Sequence, residues 1–441
     1  MRPWDYQWLV LLIFLALPTL VFFRPVFFYI LDDWTALIRM AELPFGQYLV
    51  TPDGEQWFPF FQVLFFGLVR FAGERYAWLV LINCLGTGVN AFLVYSFFRR
   101  QWPSGLAFTL SLLYAVAAVH HAIAWNAFYV GYLLSLGLFL GALLLTDRYA
   151  RAPSPGKLWG IGLCAFLSIL SHNYPLVGLL ALPLYVFVVA PPPISGRAFW
   201  NLAGVIILVY ALFAAGYLWF AGLPAAASHN VRIFAGIPGP AYALHLLCGA
   251  VVSPFLYLFW GHYHFPLPAY IAGITLLLAT LAVIWHWGTG PDKRLALWAL
   301  MVNLLPFFLI SLTRYQRSVA QAFVARYGVF TLIGALLLLG IAWRVLAARV
   351  ALKPWGKALA GVLLGVMVCG QLLSLPRWNA EFVEMSRLSR KCYVELNRES
   401  GAAPVLTAEE FRKFCPGAYP MISPEQAQAV RRFLNRLQGH S

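Results

Sequence analysis

The chain has 441 residues, of which 61% are hydrophobic and only 11% are charged, and its mean hydropathy is +0.75. Soluble domains carry roughly 25% charged residues, so this composition leaves too little polar surface for a water-soluble particle. The net charge is +15, but many of the basic residues lie in short loops between apolar segments, where they set membrane topology. We therefore exclude a nucleic-acid-binding protein and predict an all-α polytopic membrane protein.

Apolar runs of about 17–22 residues recur along the chain, and this is the length that crosses a hydrocarbon core roughly 30 Å thick. They predict about eleven transmembrane helices, the first of them retained because no small-residue cleavage site follows it. The predicted spans are 7–23, 76–97, 104–121, 126–146, 158–172, 174–190, 200–220, 268–288, 295–312, 328–346 and 357–375. Another apolar stretch, 241–260, contains Ser253-Pro254, and we predict a re-entrant or interfacial helix there.

The distribution of basic residues predicts the orientation. Positive charge is densest in the short loops on the side of the N-terminus, which we therefore place in the cytoplasm. The long loops 24–75 and 221–267 then lie outside, and an odd number of spans places the polar tail, 376–441, outside as a small domain. In an oxidising compartment Cys392 and Cys415 of this tail would form a disulfide, or remain two free thiols.

The first outer loop opens with two adjacent carboxylates, Asp32 and Asp33, in the sequence ILDDWTAL. Such a pair suits a general base that takes a proton from a hydroxyl or a site for a divalent metal. Asp33 also fits the N-cap of the following helix. One aspartate can cap the helix while its neighbour faces a substrate, and the sequence leaves open which of the two does so.

Other polar residues gather on the same predicted face. An arginine at the membrane surface is a good ligand for phosphate, although it can also extend to the headgroups without a specific ligand. We predict that Glu55 and three histidines form a possible substrate or metal site. The alternative is that these residues have structural roles. No nucleotide-binding motif occurs in a credible context. The candidate phosphate ligands are Arg314, Arg317 and Arg326 with the adjoining Tyr327, and the possible substrate or metal site consists of Glu55, His120, His121 and His172.

Taken together, these segments resemble the GT-C superfamily of membrane glycosyltransferases, which includes the protein O-mannosyltransferases and the aminoarabinose transferases of lipid A. The resemblance lies in layout over roughly residues 1–375, with histidines and Asn173 standing where relatives often carry acidic residues. The segments that carry it are ILDDWTAL, GEQWFPFFQVLFF, YAVAAVHHAIAW, SHNYPL and VARYGVF.

The resemblance implies a GT-C-like bundle with interfacial helices in the first outer loop. It also implies an inverting transfer of a sugar from a polyprenyl-phosphate donor to a hydroxyl of a lipid, glycan or protein acceptor. By analogy Asp32, with Asp33 as the alternative, is the base, and Arg326, followed by Arg314 and Arg317, binds the phosphate. It implies no certain cofactor and leaves open a divalent cation such as Mg²⁺ or Mn²⁺. The expected location is a bacterial inner membrane, with the active site facing the periplasm or exterior.

Two other functions compete with this interpretation. A transporter or flippase for a lipid-linked glycan would place charged groups within its spans and show paired repeats of broken helices. The predicted spans here are nearly free of charge, and polar groups gather on one face. A non-catalytic assembly subunit is the third possibility, and it would tolerate the loss of both Asp32 and Asp33.

Overall fold

The computed structural model describes residues 3–24, 29, 32–52, 56–73, 75–189, 192–220, 240–262, 264–314, 322–349, 354–398 and 424–437. They build a bundle of helices. The first nine helices are α1 (Pro3–Phe22), α2 (Asp32–Glu42), α3 (Phe45–Val50), α4 (Pro59–Ala72), α5 (Ala77–Phe98), α6 (Ser104–Val116), α7 (His121–Ala124), α8 (Val130–Arg151) and α9 (Pro155–Ser171). The others are α10 (Ala181–Val189), α11 (Pro192–Phe220), α12 (Pro240–Leu247), α13 (Ser253–Phe259), α14 (Leu267–Trp287), α15 (Gly290–Arg314), α16 (Ala325–Arg349), α17 (Pro354–Arg398) and α18 (Pro424–Leu437).

The lengths of these helices agree with a polytopic helical membrane protein. Within the described ranges, 8 helical segments are long and apolar enough to cross a membrane, and four further apolar helices are shorter. Each of the eleven segments predicted from the sequence to span the membrane coincides with a helix. The first span and the two at 158–172 and 174–190 fall on the shorter helices, the span at 295–312 falls in neither group, and one of the eight is 241–259. The count of eleven therefore remains a prediction.

The α12–α13 stretch is a helical segment of spanning length that contains a π-helical turn. Ala241–Phe259 is long enough to span, and a π-helical turn separates its two halves. At one end Tyr242 donates a hydrogen bond to the carbonyl of Phe308, 3.5 Å away, and at the other Tyr257 donates to the carbonyl of Phe323. Its first turn thus contacts α15 and its last turn contacts the residue before Val324, and the re-entrant or interfacial helix remains a prediction.

Small and polar residues hold the central helices together, as expected where lipid provides no hydrophobic drive between helices. A side chain at Gly88 of α5 would place its Cβ 2.3 Å from the Phe14 carbonyl oxygen, so glycine allows α1 to approach this closely. Between α8 and α9, Ser135 donates to the Ser168 carbonyl at 2.8 Å and Ser168 donates to the Ser135 carbonyl at 2.7 Å.

One end of the bundle is held by a charged network. The Asp147 carboxylate is fully buried and lies 2.8 Å from Arg100 and 3.0 Å from Arg151. Tyr185 of α10 also donates to it, at 2.8 Å. The network joins the ends of α5, α8 and α10, and the side chains of Arg100, Arg151 and Arg344 mark what we call the basic end of the bundle.

At the opposite end of the bundle the chain breaks its helical path between α6 and α8. Residues 117–129 form two short 3₁₀ turns and the single turn α7, which frees backbone groups that apolar surroundings cannot satisfy. Side chains supply the missing hydrogen-bond partners. Asn83 donates to the carbonyls of Ile123 and Asn126, each at 2.9 Å, and Gln371 accepts from the Ala118 N–H at 2.7 Å. Polar side chains from distant helices thus hold this broken segment in place.

The last helices connect the tail to the first loop. Helix α17 continues without interruption from the predicted last span into the tail. Cys392 near its end is disulfide-bonded, whereas Cys415, its predicted partner, lies outside the described residues. Helix α18 packs against α2, with Val430 and Leu434 fully buried. The tail therefore covers the helix that begins with Asp32.

We expect Asn83→Leu to lower the free energy of unfolding in detergent by about 1–3 kcal/mol, because it leaves two buried carbonyls without their donor. Asn90→Leu is the matched control, since the Leu133 carbonyl to which Asn90 donates lies inside α8 and keeps its intrahelical hydrogen bond. Unfolding by a graded denaturing detergent, followed by fluorescence, measures both. Equal losses in the two variants would contradict this account of the broken segment.

Candidate functional site

The two adjacent aspartates have different surroundings. Asp33 is fully buried, and its carboxylate accepts hydrogen bonds from the Phe128 N–H at 2.7 Å and from the Tyr76 hydroxyl at 2.6 Å. The same hydroxyl accepts from the Ala127 N–H at 3.0 Å and lies 2.7 Å from the Trp125 carbonyl. Asp33 is therefore one of the side chains that hold the broken segment.

Asp32 points into an open space instead. Its side chain is 40% exposed, and Oδ2 accepts a hydrogen bond from the Tyr129 hydroxyl at 2.7 Å. Oδ1 has no hydrogen-bond partner in the described part of the chain. Arg326 lies 3.6 Å from Asp32 and donates to the Tyr129 hydroxyl. A free carboxylate oxygen and a fixed guanidinium thus stand side by side.

Arg326 opens α16, and aromatic rings fix its position. Its guanidinium carbon lies 5.6 Å from the centre of the Tyr129 ring and 5.3 Å from that of Tyr327, which is within the range of cation–π attraction. Among the described residues, Nη1 is the guanidinium nitrogen that donates to a protein group, the Tyr129 hydroxyl. Nε is buried without a partner, and Nη2 donates to no acceptor among the described residues. This fork can still receive an anionic ligand.

His172 lies in the turn after α9 and completes an aromatic wall. Its ring is stacked on Phe58, at 6.1 Å and 11°, and contacts Tyr132 at 3.9 Å between ring centres. Tyr174, two residues on, packs on Phe330 at 3.9 Å and donates to the Tyr327 carbonyl at 3.3 Å. The predicted residues Asp32, His172, Arg326 and Tyr327 therefore border one region of the bundle.

An apolar groove of about 500 Å³ begins close to this turn. Its lining is almost entirely apolar, and the Tyr210 hydroxyl bonds to the Leu176 carbonyl where the groove begins. The groove is therefore open to lipid tails and adjoins the polar region around His172. It runs between the 3₁₀ turn Val177–Leu180 and α11, and its lining residues are Leu176, Val177, Leu180, Tyr210, Phe213, Ala214, Tyr217 and Leu218.

The other two predicted histidines have structural partners. His120 donates to the Tyr114 carbonyl at 2.8 Å, and His121 contacts Asn379 at 3.3 Å. His121 is also stacked on Trp378 of α17, at 5.8 Å and 14°. Through these contacts both histidines hold the broken segment, and the contacts do not include the Asp32 carboxylate.

No group of three or more His, Cys, Asp or Glu residues that could hold a metal ion occurs among the residues that the structure describes. His262 lies between α13 and α14, and its pKa is lowered because the effect of burial exceeds the opposing effect of the Glu381 carboxylate, 3.2 Å away. Of the remaining predicted residues, Glu55 and Arg317 lie outside the described ranges, and Arg314 is described only in its backbone.

Sequence reasoning did not identify Tyr129 or Tyr76, which contact the two aspartates. Tyr129 is the last residue of a helix break that has no proline or glycine to mark it, in AAVHHAIAWNAFY. Tyr76 precedes α5, and from the sequence alone it resembles an ordinary aromatic residue at a membrane interface. The available signal was Asn83, a polar residue inside an apolar span, since such residues usually have a buried partner.

We expect Asp33→Asn to destabilise the protein by roughly 1.5–3 kcal/mol, because an amide offers one acceptor oxygen where the carboxylate offers two. Asp32→Asn should change stability by less than about 0.5 kcal/mol, since its amide oxygen can still accept from Tyr129 and the side chain is partly exposed. Denaturation of the two purified variants under identical conditions measures the difference. A larger loss for Asp32→Asn would reverse the assignment of the two roles.

Comparison with known proteins finds no protein-family model that matches this chain and no curated protein that matches it. The likeness to the GT-C superfamily therefore depends on the segments quoted above and on the chemistry of the site. Any function assigned to the chain is a proposal from its own residues.

Proposed function

We propose that the chain is an inverting glycosyltransferase that moves a sugar from a polyprenyl-phosphate donor to a hydroxyl acceptor. One observation carries the proposal: Asp32 has a free carboxylate oxygen, and 3.6 Å away stands Arg326 with N–H groups that bind no acceptor in the described part of the chain. A base for the acceptor and a cation for the leaving group are thus adjacent.

The chemistry follows from these two groups. Oδ1 of Asp32 takes the proton of the acceptor hydroxyl while that oxygen attacks the anomeric carbon of the sugar. The bond from the anomeric carbon to the phosphate oxygen breaks, and its electron pair leaves with the polyprenyl phosphate. The phosphate changes from a singly charged diester to a doubly charged monoester, so a fixed guanidinium stabilises the charge that develops. The proton on Asp32 then passes to water.

The surroundings of the aspartates favour Asp32 as the base. Asp33 is fully buried, with both carboxylate oxygens engaged, so an acceptor cannot reach it without breaking that network. Asp32 is 40% exposed and its Oδ2 is fixed by Tyr129, which aims Oδ1 at the open space. Of the two alternatives left by the sequence, this assigns the base to Asp32 and the structural role to Asp33.

The apolar groove supports a donor that carries a lipid. The surface of its Leu, Val, Phe, Ala and Tyr lining is almost entirely apolar, which suits a lipid tail better than a soluble sugar nucleotide, and its start at Leu176 adjoins the His172 turn. A polyprenyl chain can lie in such a groove while its phosphate reaches Arg326. We infer that the donor enters sideways from the bilayer.

The integral membrane character rests on 8 apolar helices of spanning length within the described ranges. We further propose that the basic end faces the cytoplasm, as the density of positive charge favours, and that Asp32 and Arg326 face the periplasm or exterior. The disulfide at Cys392 supports this orientation, because disulfides persist in oxidising compartments. The Asp147 network holds the basic end closed, which disfavours a flippase that must open there.

The first experiment measures sugar transfer in liposomes from a panel of short-chain polyprenyl-phosphate sugars. We expect Asp32→Asn to reduce the rate on the order of 10²–10⁴-fold and Arg326→Ala to reduce it about 10²–10³-fold, while Glu384→Gln, an exposed carboxylate on α17, retains wild-type activity. Release of polyprenyl phosphate is the readout.

Two outcomes would overturn the proposal. If no donor is consumed, and labelled lipid-linked sugar crosses the bilayer equally well in wild type and in both aspartate variants, the protein is a transporter. If transfer proceeds at the wild-type rate in Asp32→Asn and Arg326→Ala, another site performs the reaction.

A variant in the groove tests how the donor binds. Ala214→Trp should fill the groove and raise the KM for long-chain donors more than for donors with one or two isoprene units, because only long chains extend along it. Ala215→Trp is the matched control, since Ala215 is exposed but does not line the groove. Equal KM changes in the two variants, or equal effects on short and long donors, would place the lipid elsewhere.

A further inference from the structure

Two donors of the site have no protein acceptor among the described residues: the free N–H groups of Arg326 and Nε2 of His172. We propose that His172 donates a hydrogen bond from Nε2 to a phosphoryl oxygen of the lipid-linked donor, alongside Arg326. This inference rests on the proposed function and makes His172 a second phosphate ligand, which carries no charge.

The backbone sets the protonation of the His172 ring. Its Nδ1 accepts a hydrogen bond from the Tyr174 N–H at 3.0 Å, so Nδ1 carries no proton and the single proton of the neutral ring resides on Nε2. The turn thus fixes which nitrogen of the His172 ring carries the proton, so that Nε2 is the donor. A neutral donor also costs less to bury beside a guanidinium than a second cation does.

The ring is held in place while its donor remains accessible. It lies on Phe58 and against Tyr132, so it cannot turn without displacing both. Only 6% of the residue is exposed, and Nε2 meets no acceptor within the described ranges. An N–H that is fixed, nearly buried and unpaired stands ready for a ligand, since leaving it unpaired costs free energy.

A run of ring contacts connects Arg326 to His172. The guanidinium is over the Tyr129 ring, the Tyr129 and Tyr132 rings are 5.1 Å apart, and Tyr132 contacts His172. The two donors therefore lie at the two ends of one run of aromatic contacts, and Arg326 also lies 3.6 Å from Asp32.

The chemistry of these donors selects a phosphoryl oxygen. Nε2–H can only donate, and a phosphate oxygen at this charge state can only accept, whereas a sugar hydroxyl would also need an acceptor for its own proton. A metal ion would need an unprotonated nitrogen and would be repelled by Arg326. Hydrogen bonds to charged groups are the stronger class, so the loss of this donor should be measurable.

Two substitutions separate binding from a structural role of His172. His172→Gln carries an amide N–H near the position of Nε2, whereas His172→Asn keeps an acceptor near Nδ1 for the Tyr174 N–H but has no donor at Nε2. A structural role predicts that Asn is the better substitute, and phosphate binding predicts Gln. His172→Phe, which keeps the ring packing, is a second variant without the donor.

The experiment measures binding of farnesyl phosphate to the full-length protein in nanodiscs, with farnesol as the probe that lacks phosphate. We expect His172→Asn and His172→Phe to weaken farnesyl phosphate binding about ten- to hundredfold, His172→Gln to remain within about threefold of wild type, and farnesol binding to be unchanged in all three. This pattern would support the inference.

Other patterns overturn it. Wild-type affinity for farnesyl phosphate in both donor-less variants, or equal losses for farnesyl phosphate and farnesol, would remove His172 as a phosphate ligand while leaving the transferase proposal intact. Failure of the wild-type protein both to bind farnesyl phosphate and to transfer sugar would instead remove the proposed function, and this inference with it.

Discussion

The broken segment between α6 and α8 sets the constraint on which the site depends. Backbone groups that leave a helix within apolar surroundings must find partners elsewhere, and here side chains from three distant parts of the chain supply them. Asn83, Gln371, Tyr76 and Asp33 each bond to backbone atoms of residues 117–129. The same break presents Tyr129 to Asp32 and Arg326. The features that make the segment costly to build therefore also position the polar groups of the site.

Helix geometry explains why two adjacent carboxylates acquire different roles. Successive residues of an α-helix project about 100° apart, so Asp32 and Asp33 point in different directions from the same helix. Asp33 does so and bonds to the broken segment, while Asp32 projects toward the open space and Arg326. A tandem pair thus gives one anchored carboxylate and one available carboxylate, and each depends on the other because both begin the same helix.

The sequence predicted the membrane class and the helices, because hydrophobic length can be read from local composition. That Asp32 and Arg326 belong to one site was implied by the resemblance to the GT-C superfamily and not by composition. The sequence did not reveal Tyr129 or Tyr76, since their roles follow from a helix break that no proline or glycine marks. His120 and His121 drew attention as possible ligands, yet their imidazoles bond to Tyr114 and Asn379. What a polar residue bonds to is decided by tertiary packing, which short motifs do not encode.

The packing of α18 on α2 has a consequence for biogenesis. Roughly 380 residues separate the end of α2 from the start of α18, and at about 5–20 residues per second their synthesis takes on the order of 20–80 s. Throughout that interval the helix bearing Asp32 is already made, but its cover is still to be translated and, if the tail lies outside, exported. The packing around Asp32 is therefore completed only after α18 has been made, and a defect in placing the tail would leave uncovered a helix that was made near the start of synthesis.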